Sequence, residues 1–289
     1  MKRTAFVADT TIGLSPSEAE ARGIHLVPVQ VIVDGVPFRD LFEFTPEALQ
    51  QAQQGGKKIS TSQVNPADLE RLYSNLLERH DQVISVHMSS KLSGTYATAK
   101  LIAERLEDRV CPIDSRSLNA GLDYVLEGVR QAVNAGVPNH LLETSISPLR
   151  DRVRGLVLPK SLDGLLRSGR IGGLQHFVGT LLRLVPVLLL EDGVVRPFDR
   201  ARGFQAALER CVEDFRRLYP HGARVTLAHA ENWPAVERLQ ALLRKEGVIL
   251  DGVREAGAAV SAHTGSGTVA VFAAPLSATS TGPSVRGPA

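Results

Sequence analysis

The chain has 289 residues, a prior of about two domains at roughly 150 residues each. Lys and Arg number 33 against 31 Asp and Glu, and a net +2 is too small for the basic footprint of a general nucleic-acid binder. Hydrophobic residues at 43% suffice for a sizeable core, and aromatics at 5% leave burial to aliphatic side chains and argue against a base-stacking surface.

In chain order, Thr4 to Ala8 predicts a buried strand running into Asp9-Thr10-Thr11. Ser15-Pro16-Ser17-Glu18 is a capping box with proline at the first helical position, and Gly23 stops that helix. Ile24 to Val33 reads as one strand, and Asp34-Gly35 turns it toward Val36 to Arg39. Thr45-Pro46 and Asn65-Pro66 open two further helices, the second running to about His80. Gln82 to His87 and Val110 to Ile113 are strands, separated by a polar loop, Ser89 to Gly94, and a helix from Thr95 to Leu106. Helices from Leu118 to Asn134 and Pro138 to Arg150 follow. Strands alternating with helices imply a largely parallel sheet.

The second half mixes hairpins with helices. Val153 to Leu158 is a strand, Ser161 to Arg167 a short helix, and Val185 to Leu190 pairs with Val194 to Pro197 across Glu191-Asp192-Gly193. Gly203 to Tyr219 and Pro234 to Glu246 are helical; Arg224 to His229 and Thr268 to Ala273 are strands. The expected architecture is a three-layer α/β/α domain with a mainly parallel sheet, residues 1–155, and an α+β domain with a mainly antiparallel sheet, residues 156–275. Residues 276–289 offer little to bury and are expected to be disordered.

Cys111 and Cys211 are too few for a disulfide scaffold or a four-cysteine zinc site and fit a reducing compartment. The apolar stretch after Met1-Lys2-Arg3 is too short for a signal peptide, and Leu181 to Leu190 is far below the roughly 20 residues of a membrane span. A cytoplasmic protein is expected.

Ligands of parallel α/β sheets sit outside the carboxyl ends of the strands. The residues leaving those ends are Asp9-Thr10-Thr11, Ser89-Ser90, Ser93-Gly94-Thr95 and Asp114-Ser115, with Ser60-Thr61-Ser62 preceding the Asn65 helix. Hydroxyls, glycine and helix N-termini suit an anionic oxygen; a cap or turn is the default role of any one of them, and it is their recurrence at successive strand ends that points to a ligand. His263-Thr264-Gly265-Ser266-Gly267 reads as a flexible turn that could bring an imidazole to the same place. Arg167, Arg170, Arg200 and Arg202 are either a solvated basic face or an anion or partner patch.

Several catalytic motifs fail on their residues. Gly164 to Arg170 has P-loop glycine spacing, but Arg170 and Ile171 stand where Lys and Ser/Thr belong. Ser266 has no G-x-S-x-G spacing, and no H-E-x-x-H occurs. Glu104 with Glu107, and Asp9 with Asp114, are conceivable acid pairs that nothing in the sequence sets against a substrate.

The strings D-T-T at 9–11, T-S-Q at 61–63, S-S-K-L-S-G-T-Y at 89–96, I-D-S at 113–115, S-G-R-I-G-G at 168–173 and H-T-G-S-G at 263–267 resemble, in order, the DegV family of bacterial fatty-acid-binding proteins. The resemblance implies two domains with a long-chain fatty acid such as palmitate held between them. It also implies presentation of the carboxylate to a fatty-acid kinase subunit that makes an acyl phosphate. On it, Thr61 or Ser62, Ser93 and His263 are the carboxylate contacts, Gly94 and Thr95 lie in the same loop, and Arg170, with Arg202, lies near the head group or partner surface. It implies no catalysis, cofactor or metal. Val64-Asn65-Pro66, Asp9-Thr10-Thr11 and Ser266 depart from the usual pattern.

A chain of about 15 methylenes at roughly 0.8 kcal/mol each supplies on the order of 12 kcal/mol before binding costs. Leu162, Leu165, Leu166, Leu181, Leu184 and Leu188 could line its tunnel, though ordinary core packing is the default role of any single one. The rival readings are a hydrolase or phosphotransferase using the Ser/Thr-rich cleft, and a structural protein whose lipid is incidental.

Overall fold

A computed structural model describes residues 2–106, 108–172, 184–244, 246 and 248–276. Strand β1 (Thr4–Asp9) runs through a 3-10 turn into α1 (Pro16–Ala21), β2 (Ile24–Val27), β3 (Gln30–Val33), β4 (Val36–Arg39), α2 (Pro46–Gln54) and β5 (Ile59–Ser62). Next come α3 (Pro66–Leu77), β6 (Gln82–His87), α4 (Thr95–Ala103), β7 (Val110–Asp114), α5 (Ala120–Asn134) and α6 (Asn139–Arg150). The remainder comprises β8 (Arg154–Leu158), α7 (Asp163–Ser168), β9 (Val185–Glu191), β10 (Val194–Ala201), α8 (Phe204–Leu218) and β11 (Ala223–His229). It closes with α9 (Trp233–Leu243), β12 (Ile249–Glu255), α10 (Ala258–Thr264) and β13 (Val269–Pro275).

The caps form as the residues dictate. Ser15 Oγ accepts from the Glu18 N–H while Glu18 accepts from Ser15, and Thr45 and Asn65 cap α2 and α3. Strand β6 is buried at every position because helices cover both faces of its sheet.

The first sheet is parallel throughout, in the order β2-β1-β6-β7. Its chain path reverses between β1 and β6, so a crevice opens beyond Asp9 and His87. The second sheet, β10-β9-β8-β13-β11-β12, is antiparallel except for the β11–β12 pair. The fold is therefore the expected α/β and α+β pairing. The six-stranded sheet starts at Arg154, two residues before the expected junction at 156.

Two local expectations are corrected, and two strands form where the sequence carries no signal. Ile24 to Val33 is two strands: Pro28 has no N–H for the ladder, so β2 stays in the parallel sheet while β3 joins β4 and β5 in a third, antiparallel sheet. Strand β5 forms over Ile59–Ser62, where the sequence offers only the hydroxyl run before the Asn65 helix, with alternating half-buried and exposed positions. Edge strand β12 carries the unpatterned run Ile249–Glu255. His263 sits in the last turn of α10 and not in a flexible turn. The expected disordered tail, apart from Leu276, lies outside the described residues.

The two main sheets share one core, in which Ala8, Ile84 and Ile113 pack with Leu188, Leu190 and Phe272. Helix α10 reaches back so that Ala258 and Ala259 join Val31, Leu49 and Val64 of the first half. Asp123 on α5 ties the halves further, receiving Arg22 at 2.7 Å and Arg254 at 2.5 Å.

Candidate ligand cavity

Between the carboxyl ends of β1 and β6 and one face of the second sheet lies a cavity of about 750 Å³, within the usual range for small-molecule sites. Leu118, Val157, Leu188, Leu190, Ala270 and Phe272 make much of its wall apolar. These residues come from both halves of the chain, so the cavity exists only when the halves are assembled.

Its polar end starts from strand alternation. Successive residues of β5 face opposite ways, so Thr61 is half-buried while Ser62 is exposed. Thr61 Oγ1 hydrogen-bonds His263 Nε2 at 2.7 Å. The imidazole is held by two approaches of α10. At the start of that helix, Asp40 Oδ1 accepts the Ala259 N–H at 3.0 Å. At its end, a Cβ on Gly164 would stand 2.4 Å from the His263 carbonyl, so glycine lets α7 and α10 close on each other. Burial pushes the His263 pKa down to about 4, and the nearby Arg170 cation pushes the same way, while a backbone hydrogen bond to Gly164 opposes them. The ring is therefore neutral near pH 7.

Ser93 and Gly94 border the cavity beside this pair. Ser93 Oγ accepts the Thr95 N–H at 3.2 Å and lies 3.0 Å from Thr95 Oγ1. Thr95 is fully buried and lies behind the wall, where it also accepts the Val64 N–H at 3.4 Å. A Cβ on Gly94 would meet Gln63 Oε1 at 2.0 Å, so any larger residue there would have to displace the Gln63 amide. Gln63 itself donates to Thr98 Oγ1 at 2.8 Å. Ser62 borders the cavity with its hydroxyl turned to the Gln63 carbonyl at 3.4 Å.

Arg170 is the one ionic side chain, aspartate and glutamate included, on the wall among the described residues. Its guanidinium donates to the Ser168 and Leu92 carbonyls, at 2.8 and 3.4 Å. Arg202 is exposed beyond β10 and away from the cavity. Of the expected tunnel leucines, Leu165 and Leu188 line the wall, whereas Leu162, Leu166 and Leu184 do not, and Leu181 lies outside the described residues. Asp40 and Asn119 carry no signal in the sequence, because each acts through a partner distant in the chain or through cavity shape, and Gln63 stands out there only as the last residue of the T-S-Q string.

The crevice also holds a Ser–His–Asp chain. Ser85 Oγ is 2.6 Å from His87 Nε2, and His87 Nδ1 is 3.3 Å from Asp9 Oδ2. All three are fully buried and none borders the cavity, so a substrate there does not meet the Ser85 hydroxyl. Asp9 instead accepts the Met88 N–H at 2.8 Å and the Thr11 N–H at 3.1 Å, tying together the ends of β6 and β1. Asp114 is occupied separately by Ser90 and the Arg116 N–H, so it forms no acid pair with Asp9; Glu107 of the other pair lies outside the described residues. No cluster of three or more metal-ligating residues occurs among the described residues, and no helix there is long and apolar enough to cross a membrane.

Comparison with known proteins agrees with this architecture. A DegV domain-containing protein of Deinococcus radiodurans is 33% identical over 95% of this chain and 99% of its own. The structure described as fatty acid binding of a DegV family protein from Thermus thermophilus superposes with a TM-score of 0.87, at 33% identity over 95% of this chain and all of that one. DegV of Bacillus subtilis, described as a fatty acid binding protein, shares the fold at a TM-score of 0.83 and 24% identity, over 96% of this chain and all of its own. The family model described as "Uncharacterised protein, DegV family" matches residues 3–276. The chain belongs to the DegV family.

Proposed function

We propose that the protein is a cytoplasmic, non-catalytic carrier that holds one long-chain fatty acid in the cavity and presents its carboxylate to a partner fatty-acid kinase. The observation that carries the reading is a mainly apolar cavity of about 750 Å³ whose polar end is the Thr61–His263 pair. An acyl chain gains affinity by leaving water, and its carboxylate needs donors to avoid an unpaired buried charge. Thr61, Ser93 and His263, with Arg170 alongside, supply hydroxyls, an imidazole and a positive field without a tight ion pair, which leaves the carboxylate reactive toward a phosphoryl donor. The fatty-acid binding named for the Thermus thermophilus relative supports the ligand class. Two unpaired cysteines support a reducing compartment.

The test compares palmitate with methyl palmitate by calorimetric titration. The acid should bind and the ester should bind at least about tenfold more weakly, because it brings no anion to the polar end. Equal affinities would contradict a carboxylate site. For the kinase arm, Arg202→Glu should slow phosphorylation of the bound acid by the kinase while leaving palmitate affinity intact; unimpaired phosphorylation would remove Arg202 from the partner surface.

A further inference from the structure

The cavity wall has another polar stretch, at the carboxyl end of β1. Asn119 is only 1% exposed and borders the cavity. Its backbone has φ 49° and ψ −134°, a left-handed conformation that a residue other than glycine keeps only when its surroundings hold it there. Here the Asn119 N–H donates to the Thr11 carbonyl at 2.7 Å, and Asn119 Oδ1 accepts the Ala120 N–H at 2.8 Å, capping α5. The amide Nδ2 makes no hydrogen bond among the described residues. Space for it comes from Gly13, where a Cβ would stand 2.5 Å from that nitrogen. Thr11 borders the same cavity, and its hydroxyl donates to Asp9 Oδ1 at 2.5 Å, so its oxygen is left only to accept.

We propose that Asn119 and Thr11 form a second polar subsite that recognises a hydroxyl group borne on the acyl chain of the ligand. The inference rests on the reading that the cavity holds an acyl chain. The two residues are joined through the Asn119 N–H and the Thr11 carbonyl and border one cavity, and one unused donor with one available acceptor matches the donor and acceptor of an alcohol. A plain methylene chain pressed against Nδ2 would leave that N–H dry and unpaired, which a buried amide resists. The ligand class is thus a long-chain carboxylic acid with a single hydroxyl at a fixed distance from the Thr61–His263 end.

The experiment measures displacement of palmitate by a positional series of monohydroxypalmitates, from mid-chain to the methyl end. One isomer should bind about tenfold tighter than palmitate while its neighbours do not, the gain expected of one well-placed hydrogen bond. In Asn119→Gly, which relieves the positive φ and removes the donor, the ratio of palmitate to hydroxy-acid dissociation constants should fall to about one. Asn119→Asp, which retains the cap oxygen and loses the amide donor, should lose the preference as well, with circular dichroism verifying the fold of both. If every isomer binds no better than palmitate, Nδ2 is served by a trapped water and the proposal is overturned. Survival of the preference in both variants overturns it equally. Failure of palmitate and all hydroxy acids to bind would instead remove the acyl-carrier reading beneath it.

Discussion

Thr61 and His263 are separated by 202 positions in the chain and by 2.7 Å in space. Strand β5 and helix α10 meet there because the last helix of the C-terminal half packs into the core of the first. Thr61→Val keeps the side-chain shape and deletes the hydroxyl. Palmitate binding should weaken by about 1–3 kcal/mol, the cost of leaving a buried acceptor without its donor, and Ser93→Ala should do the same. Titration calorimetry reads the change; unaltered affinity in either variant rejects that residue as a carboxylate contact.

Ligand binding should take up protons. Burial and Arg170 hold His263 near a pKa of about 4 without ligand, and a carboxylate set against the ring favours the imidazolium and raises that value. Affinity should therefore increase as pH falls from neutrality toward about 5, above the range in which the ligand's own carboxyl takes up a proton. Titrations in buffers of different ionisation heat would show net proton uptake, absent in His263→Gln. Proton release on binding would contradict the placement of the carboxylate.

Asp40 and His263, at opposite ends of α10, pull stability in opposite directions. Burial raises Asp40 from 3.8 to about 6, so the folded state holds a proton that the unfolded state has lost, and stability falls as pH rises through that window. His263 is depressed from 6.5 to about 4, so the unfolded state holds the extra proton and stability rises with pH between those values. Asp40→Asn should leave the rising slope of His263, and His263→Gln the falling slope of Asp40. Denaturant melts across roughly pH 4 to 6.5 would show the two slopes; identical profiles in both variants would contradict the assignment.

The Arg22–Asp123–Arg254 cluster should matter more than a surface pair. Asp123 is only 7% exposed; burial pushes its carboxyl up, but the Arg22 and Arg254 guanidinium groups together outweigh that and hold it below the usual carboxylate range. Asp123→Ala leaves two cations facing each other between the halves and should cost about 3–5 kcal/mol, the usual penalty of breaking a buried pair. Chemical denaturation measures it, and a loss below about 1 kcal/mol would place the cluster in the class of solvated surface bridges.

Local signals made much of the fold legible. Ser15 with Glu18, Thr45 and Asn65 announced helix starts that the structure keeps, and the apolar run Gln82–His87 announced the central strand. Signals that depend on distant partners were silent. Ser60-Thr61-Ser62 has no apolar alternation, and it becomes a strand only because β3 pairs with it. Ala258–Thr264 is short and lacks a side-chain cap of its own; the carboxylate of Asp40, far earlier in the chain, serves its first turn. Of the candidate site residues, Thr61, Ser93, Gly94, Arg170 and His263 converge on one cavity, whereas Thr95 supports the wall from behind and Arg202 lies apart. Residue types announced the hydroxyls and the imidazole; only tertiary packing chose among them.

The carrier reading is met most directly by extracting the purified protein and weighing what leaves it by mass spectrometry. One long-chain fatty acid per chain is expected, either carried through purification or taken up on incubation with palmitate. A protein that yields no such acid, and acquires none when offered it, would contradict the account.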